Sequence, residues 1–239
     1  MTLPKTVVWD VTSRCLLNCR FCFAKKQVGN ELSTKEAKKF ISRLKGRNVK
    51  TLVFSGGDPL CRKDLAALLE HAKEDGLKTI LHTTGLASQA KLEEILPFVD
   101  RINLPLDGPP HTHAKMRGSD KHFDAVIETL KFLRKKSVAV SITTMVSKKN
   151  ACEVLDVAKT IKKFDNISLW RLLEFRAEQR GAKHAEEFEL KSGEFAEVEK
   201  KVRNLAKKEN WKKRLQFVSK EKAEFDQSYT KADSSGNTE

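Results

Sequence analysis

Cys15, Cys19 and Cys22 lie within eight residues in the pattern C-x3-C-x2-C. Thiolates so closely spaced suit ligation of an iron–sulfur cluster. The competing chemistry is structural zinc, which takes four protein ligands, often as paired C-x2-C knuckles. No fourth Cys or His stands nearby; the next are Cys61 and His71. Three protein ligands on a four-iron cluster leave one iron open to a small molecule that offers N and O atoms. An odd, uneven set of five cysteines is no disulfide framework and suits a reducing compartment. Cys61 and Cys152 read as buried small apolar residues.

These cysteines follow a strand. Lys5–Val11 is rich in β-branched residues, and the loop Thr12–Ala24 then carries the cysteines. Ser33-Thr34-Lys35-Glu36 is a capping box that starts a helix running to about Lys45. Further strands are expected at Val49–Phe54, Leu77–His82, Asp100–Leu106, Val138–Met145 and Ile167–Phe175. Between them run helices striped by Leu65, Leu68, Leu69 and Ala72, by residues near Leu92–Phe98, by Phe123, Val126, Ile127, Leu130 and Leu133, and by Val154, Leu155, Ala158 and Ile161. Asp107–Asp120 reads as a loop, and a last helix is expected near Gly193–Lys208. Six strand–helix alternations with apolar strands predict an α/β fold: a parallel sheet covered by helices, either doubly wound or a partial barrel. Residues 1–190 form the expected core; residues 191–239 are a C-terminal helix and a polar tail, and Asp226–Glu239 is expected to fray.

The chain has 239 residues, enough to bury a substantial core. Its composition excludes collagen, low-complexity disorder and a disulfide miniprotein. No apolar run reaches the ~18–20 residues of a membrane span, and no signal peptide is legible, so a soluble cytoplasmic protein is expected. The net charge of +14 favours anionic partners such as nucleotides, other phosphate-bearing molecules or nucleic acid. The basic run from Lys200 to Arg214 reads as the solvated face of an amphipathic helix, with nucleic-acid binding as the alternative. The six histidines match no metal-ligand spacing with the cysteines, although His111 and His113, beside Asp107, are candidates to line the mouth of a site.

The sequence resembles the radical S-adenosylmethionine (radical SAM) superfamily. The resemblance rests on Cys15, Cys19 and Cys22 with Phe21 before the last cysteine, on Ser55-Gly56-Gly57-Asp58-Pro59 after the second strand, on Met116-Arg117-Gly118 beyond Asp107-Gly108, and on the six βα units. It implies a partial (β/α)6 barrel in which the three cysteines hold a [4Fe–4S] cluster and SAM chelates the fourth iron. It further implies that Gly56, Gly57, Asp58 and Pro59 sit against the methionine part, Phe21 near the adenine and Arg117 at the SAM carboxylate. Thr84, Asp107 and Thr143 would line the SAM site, and Thr144 would meet ribose or substrate. The implied activity is reductive cleavage of SAM to a 5′-deoxyadenosyl radical that takes hydrogen from a small-molecule substrate. The electron would come from a donor such as ferredoxin or flavodoxin. One departure is Pro105, where many relatives carry a SAM-contacting serine.

The first half is most similar to the cofactor- and peptide-maturation members, including the molybdenum-cofactor cyclase, without their cysteine-rich or glycine-rich extensions. The segment Leu169–Phe175 and the Gln227-Ser228-Tyr229 triplet resemble instead the nucleotide-modifying viperin branch. That implies a nucleotide-like or phosphate-bearing substrate, with Arg171 at its phosphate and Tyr229 returning a hydrogen atom. A viperin-like nucleotide dehydratase is the alternative enzyme; a non-enzymatic iron–sulfur or nucleic-acid-binding module is the alternative of another class.

Overall fold

The computed structural model describes residues 4–24, 30–221 and 229–238. In chain order the strands are β1 (Thr6–Thr12), β2 (Thr51–Gly56), β3 (Lys78–His82), β4 (Arg101–Pro105), β5 (Val140–Val146), β6 (Ile167–Glu174), β7 (Arg214–Val218) and β8 (Tyr229–Ala232). The helices are α1 (Thr34–Gly46), α2 (Leu65–Glu74), α3 (Gln89–Ile95), α4 (Pro110–Arg117), α5 (His122–Lys135), α6 (Val154–Lys162), α7 (Gln179–Ala182), α8 (Ala185–Phe188) and α9 (Glu194–Lys208). By contacts the chain divides into two compact units, one of Met1–Leu16, Ala24–Asn103 and Asp226–Glu239, the other of Leu17–Phe23 and Leu104–Phe225.

In the first unit β1 pairs in parallel with β2 on one side and with β8 on the other, β2 with β3, and β3 with β4. The capping box starts α1: the Ser33 side chain accepts from the Glu36 amide while the Glu36 carboxylate accepts from the Ser33 amide. The helix buries Ala37, Phe40, Ile41 and Leu44. Phe40 meets the buried ring of Trp9 at 4.9 Å, and Trp9 meets Phe54 at 5.9 Å. Rings this size each contribute about 2–3 kcal/mol when fully buried. They hold β1, the strand that leads into the cysteine loop.

In the second unit β5, β6 and β7 are parallel. Helix α5 buries Val126, Leu130 and Leu133, and α6 buries Val154, Val157, Ala158 and Ile161. Helix α9 packs on α6 through the stripe of Phe195, Val198 and Val202, while Lys200, Lys201, Arg203, Lys207 and Lys208 stay exposed. The basic run as far as Lys208 is therefore the solvated face of that helix, whereas Lys213 turns inward and donates to the Phe164 and Ile167 carbonyls and Arg214 begins β7.

Three local expectations are corrected. Part of the expected loop Asp107–Asp120 is helix α4, because Pro110 stands in its first turn and Gly118 ends it in the left-handed conformation. Beyond α9 the chain forms another strand, β7, alongside β6. The polar tail does not fray throughout: residues 229–232 are β8, whose backbone takes up the open edge of β1. A strand of four mixed residues carries too short a pattern to be read without its partner. Gln227 and Ser228 lie outside the described residues. Among the described residues no helix is long and apolar enough to cross a membrane.

Candidate functional site

Parallel strands present their C-terminal ends on one side, and the chemistry-bearing loops leave from there. In the first unit β1 runs through Thr12 to the exposed Cys15. The Gly-Gly-Asp-Pro turn after β2 clasps this exit: the Gly57 amide donates to the Thr12 carbonyl at 2.8 Å, and the Asp58 amide to the Arg14 carbonyl at 2.7 Å. Gly56 has φ +125°, and a Cβ there would stand 2.2 Å from the Thr12 carbonyl oxygen. The glycines thus make room for the backbone that delivers Cys15. That reason differs from the expected one, close approach to a ligand.

Asp58 is 1% exposed and ties the turn to the end of β3. It accepts from the Thr83 hydroxyl (2.8 Å), the Thr84 amide (3.0 Å) and hydroxyl (2.5 Å), and the Leu60 amide (3.0 Å). Burial raises its pKa despite these bonds. Pro59 is buried at the start of a single 3-10 turn. The carboxylate of Asp58 and the hydroxyl of Thr84 are therefore turned to each other, bracing the turn that holds the cysteine loop.

In the second unit Cys19, Phe21, Met116, Met145, Phe175 and Phe188 form one apolar cluster, with Leu17, Cys22 and Leu173 packed against it. One charge enters it. The Arg117 Nε donates to Asp107 Oδ2 at 2.6 Å, its Nη1 lies 3.9 Å from Cys19 Sγ, and its guanidinium stacks 4.9 Å from the Phe21 ring centre. Burial opposes the Arg117 charge, but Asp107 and Cys19 outweigh burial and raise its pKa. Burial pushes the Cys19 thiol up, and Arg117 pulls against that. Asp107, fully buried, also accepts from the Met145 amide at 2.9 Å, and its carbonyl accepts from Asn150 Nδ2 at 2.6 Å. Within this unit the Gly181 amide donates to the Cys22 carbonyl at 3.2 Å, and Arg180 Nη1 donates to Asn18 Oδ1 at 2.6 Å.

Alternation along β5 separates Thr143 from Thr144. Thr143 pairs in register with Arg171, and Arg171 with Gln216 of β7. Arg171 Nε donates to Gln216 Oε1 at 3.0 Å. These half-buried residues form a polar row on the face that Met145 and Leu173 share. Thr144 is on the opposite face, fully buried; its hydroxyl donates to the Leu106 carbonyl at 2.6 Å and accepts from Trp170 Nε1 at 2.9 Å. It is a buttress, which corrects the substrate-contacting role expected of it. Tyr229 needs correction as well. It pairs with Thr6 at the start of β1, six residues before Thr12. At about 3.3 Å per residue that is ~20 Å from the end where the cysteine loop begins. His113 is buried rather than lining a mouth, and His111 is exposed and pairs with Glu153 at 3.2 Å. Cys61 and Cys152 are corrected too: Cys61 is only half-buried and Cys152 is exposed.

The donor chemistry fits an iron–sulfur cluster: Cys15, Cys19 and Cys22 are outside any disulfide, and a guanidinium stands beside one of them. Among the described residues no three His, Cys, Asp or Glu side chains are already drawn together as a metal site. The profile of the radical SAM superfamily matches residues 9–161.

This chain belongs to the radical SAM superfamily. The superfamily uses SAM and a [4Fe–4S] cluster. Among curated relatives, the Fe-coproporphyrin III synthase of Methanosarcina barkeri is 33% identical over 153 residues, covering 62% of this chain and 38% of that protein. The AdoMet-dependent heme synthase of Oleidesulfovibrio alaskensis is 30% identical over 211 residues, covering 79% of this chain and 54% of that one. The chain thus spans about half the length, or less, of these relatives. The structure of Streptococcus suis SuiB bound to S-adenosylmethionine superposes with a TM-score of 0.81 at 17% identity, over 99% of this chain and 60% of SuiB. SuiB is also known bound to its precursor peptide SuiA. The likeness shows the fold: the α/β partial barrel of parallel strands with helices outside.

Sequence reasoning named the cysteines, the glycine turn, Phe21, Asp107 and Arg117. It missed Asn150, Arg180 and Gly181. Asn150 carried a weak signal, as a polar residue just after a strand. Arg180 and Gly181 lie in a stretch with no apolar period to order it.

Proposed function

We propose that this chain cleaves SAM at a [4Fe–4S] cluster held by Cys15, Cys19 and Cys22, and so starts hydrogen abstraction from a substrate. The observation that carries this is the family match over residues 9–161, which includes three cysteines outside any disulfide and the turn that braces their loop. When bound, the cluster supplies one electron to the sulfonium of SAM, and the nucleoside fragment released is the hydrogen acceptor.

The chain's own residues orient and enclose. Gly57 and Asp58 fix the backbone ahead of Cys15. Asp107 holds Arg117 beside Cys19, where its guanidinium is offered to the carboxylate of SAM, and Phe21 gives an apolar wall. The row of Thr143, Arg171 and Gln216 offers a cation and hydrogen-bond groups to an anionic part of the substrate. The apolar cluster around Cys19 limits water and stray hydrogen donors.

The names of the relatives support a tetrapyrrole or peptide substrate, and either class carries carboxylate groups that suit Arg171. The nucleotide reading loses the support of Tyr229. A one-electron donor such as ferredoxin or flavodoxin and a reducing cytoplasmic setting complete the proposal.

The test is anaerobic reconstitution followed by SAM and dithionite. Brown protein with about four irons per chain and release of 5′-deoxyadenosine is expected. A fully loaded protein that never forms the nucleoside would leave the non-enzymatic iron–sulfur reading. Substrate class is then read by adding coproporphyrins, peptides and nucleoside triphosphates in turn and following nucleoside formation.

A further inference from the structure

Two fully buried histidines stand behind the Arg117 site without a part in the chemistry proposed above. The Asp107 amide lies 3.1 Å from His113 Nδ1. A backbone amide can only donate, so Nδ1 is the acceptor and the ring proton is on Nε2. That proton points at His122 Nδ1, 2.8 Å away. The rings stack at 4.9 Å with an 18° tilt. Both tautomers are thereby set by one amide hydrogen. From there the contacts continue through Asp107 to Arg117 and to the sulfur of Cys19.

We infer that His113, backed by His122, is a positioning residue: it fixes Asp107 so that the Arg117 guanidinium is seated beside the Cys19 sulfur and over the Phe21 ring. Four hydrogen bonds converge on Asp107, at its amide, its carbonyl and both carboxylate oxygens. His113 supplies the one that sets the peptide plane at the strand's exit. Without it the Asp107 peptide plane can tilt, which carries the carboxylate off line, and Arg117 follows it. Asn at position 113 places an oxygen where Nδ1 stood; Phe keeps the packing and loses the acceptor. The inference rests on the proposed SAM chemistry only for its functional consequence.

The experiment compares wild type, His113→Asn, His113→Phe and His122→Phe. Nitrogen-15 NMR of the wild type is expected to show His113 protonated at Nε2 and bare at Nδ1. The Arg117 Nε–H is expected to exchange slowly in wild type and His113→Asn, and at least about tenfold faster in His113→Phe, with His122→Phe between them. In reconstituted protein the cluster potential of His113→Phe is expected to move negative, as a positive charge leaves the neighbourhood of a ligand, and His113→Asn is expected to restore it. Equal Arg117 exchange in all four folded proteins overturns the inference, as does protonation of His113 at Nδ1. If no variant, wild type included, takes up iron, the proposed function fails instead, and the exchange rates still decide the role of His113.

Discussion

A Cβ on Gly57 would stand 2.3 Å from the carbonyl oxygen of Arg14, so the turn after β2 and the chain entering the cysteine loop touch backbone to backbone. Neither side of that contact is a flexible side chain that could yield. Gly57→Ala is therefore expected to destabilise the protein by about 2–4 kcal/mol and to displace the loop ahead of Cys15. Gly46→Ala is the control, because nothing lies within 4 Å of a Cβ there. Denaturant midpoints read the first effect, and iron content after reconstitution reads the second. An alanine at 57 that loads iron normally would separate the turn from the cysteine loop.

The cysteines divide into two classes by place. Cys15→Ala, Cys19→Ala and Cys22→Ala are each expected to cut iron from about four to below about one per chain. Cys61→Ala and Cys152→Ala should leave iron unchanged, since neither belongs to the loop. Iron and sulfide assays with the visible spectrum check this, and a loss on Cys61→Ala would add a ligand that the spacing does not suggest.

Much of this was legible because its signals are local. The capping box starting α1, the β-branched run of β1 and the stripe of α9 announce themselves within a few turns. The roles of the polar site residues were less legible. Thr143 and Thr144 are adjacent and alike in sequence, yet the pleat sends them to opposite faces and gives only Thr144 the buried Trp170 as partner. Gly57 was read as room for a ligand, whereas the structure brings the backbone of Arg14 against it, forty-three residues earlier, which no spacing reveals. Pro110 and Gly118 fell inside an expected loop, whereas a helix uses the pair as its start and its stop.

That face assignment can be measured. Thr144→Val removes the acceptor for Trp170 Nε1 in a fully buried setting and is expected to cost about 1–3 kcal/mol. Thr143→Val is expected to cost less than about 0.5 kcal/mol while weakening substrate turnover. Equal destabilisation by the two would contradict the alternation.

Burial holds His113 neutral, with its pKa lowered to about 3; Asp107 opposes this shift while Arg117 and His122 add to it. In the unfolded chain the same ring titrates near 6.5. Between those values the unfolded state binds a proton that the folded state refuses. The stability His113 contributes is thus complete above about pH 6.5 and falls as the pH drops toward about 3, by up to ~1.4 kcal/mol per unit. His113→Asn is expected to flatten that slope. Thermal midpoints of the metal-free proteins from pH 7.5 to 4.5 read the difference, and parallel curves would mean that the fold accepts the charged ring.

Tyr229 tests whether the tail takes part in the chemistry. It begins β8 opposite Thr6, while the cysteine loop leaves β1 beyond Thr12. The run of β1 between them is about 20 Å, far outside the ~3–3.5 Å at which a hydrogen atom is passed. Tyr229→Phe is therefore expected to release 5′-deoxyadenosine within about twofold of the wild-type rate, since the substitution leaves the β1–β8 pairing intact. Deleting the backbone of the strand is a different change: without residues 229–232 the edge of β1 is open, and stability falls while the cysteine loop keeps its sequence. Anaerobic nucleoside release by the point variant decides the matter, and a large loss with stability unchanged would bring the tail back to the site.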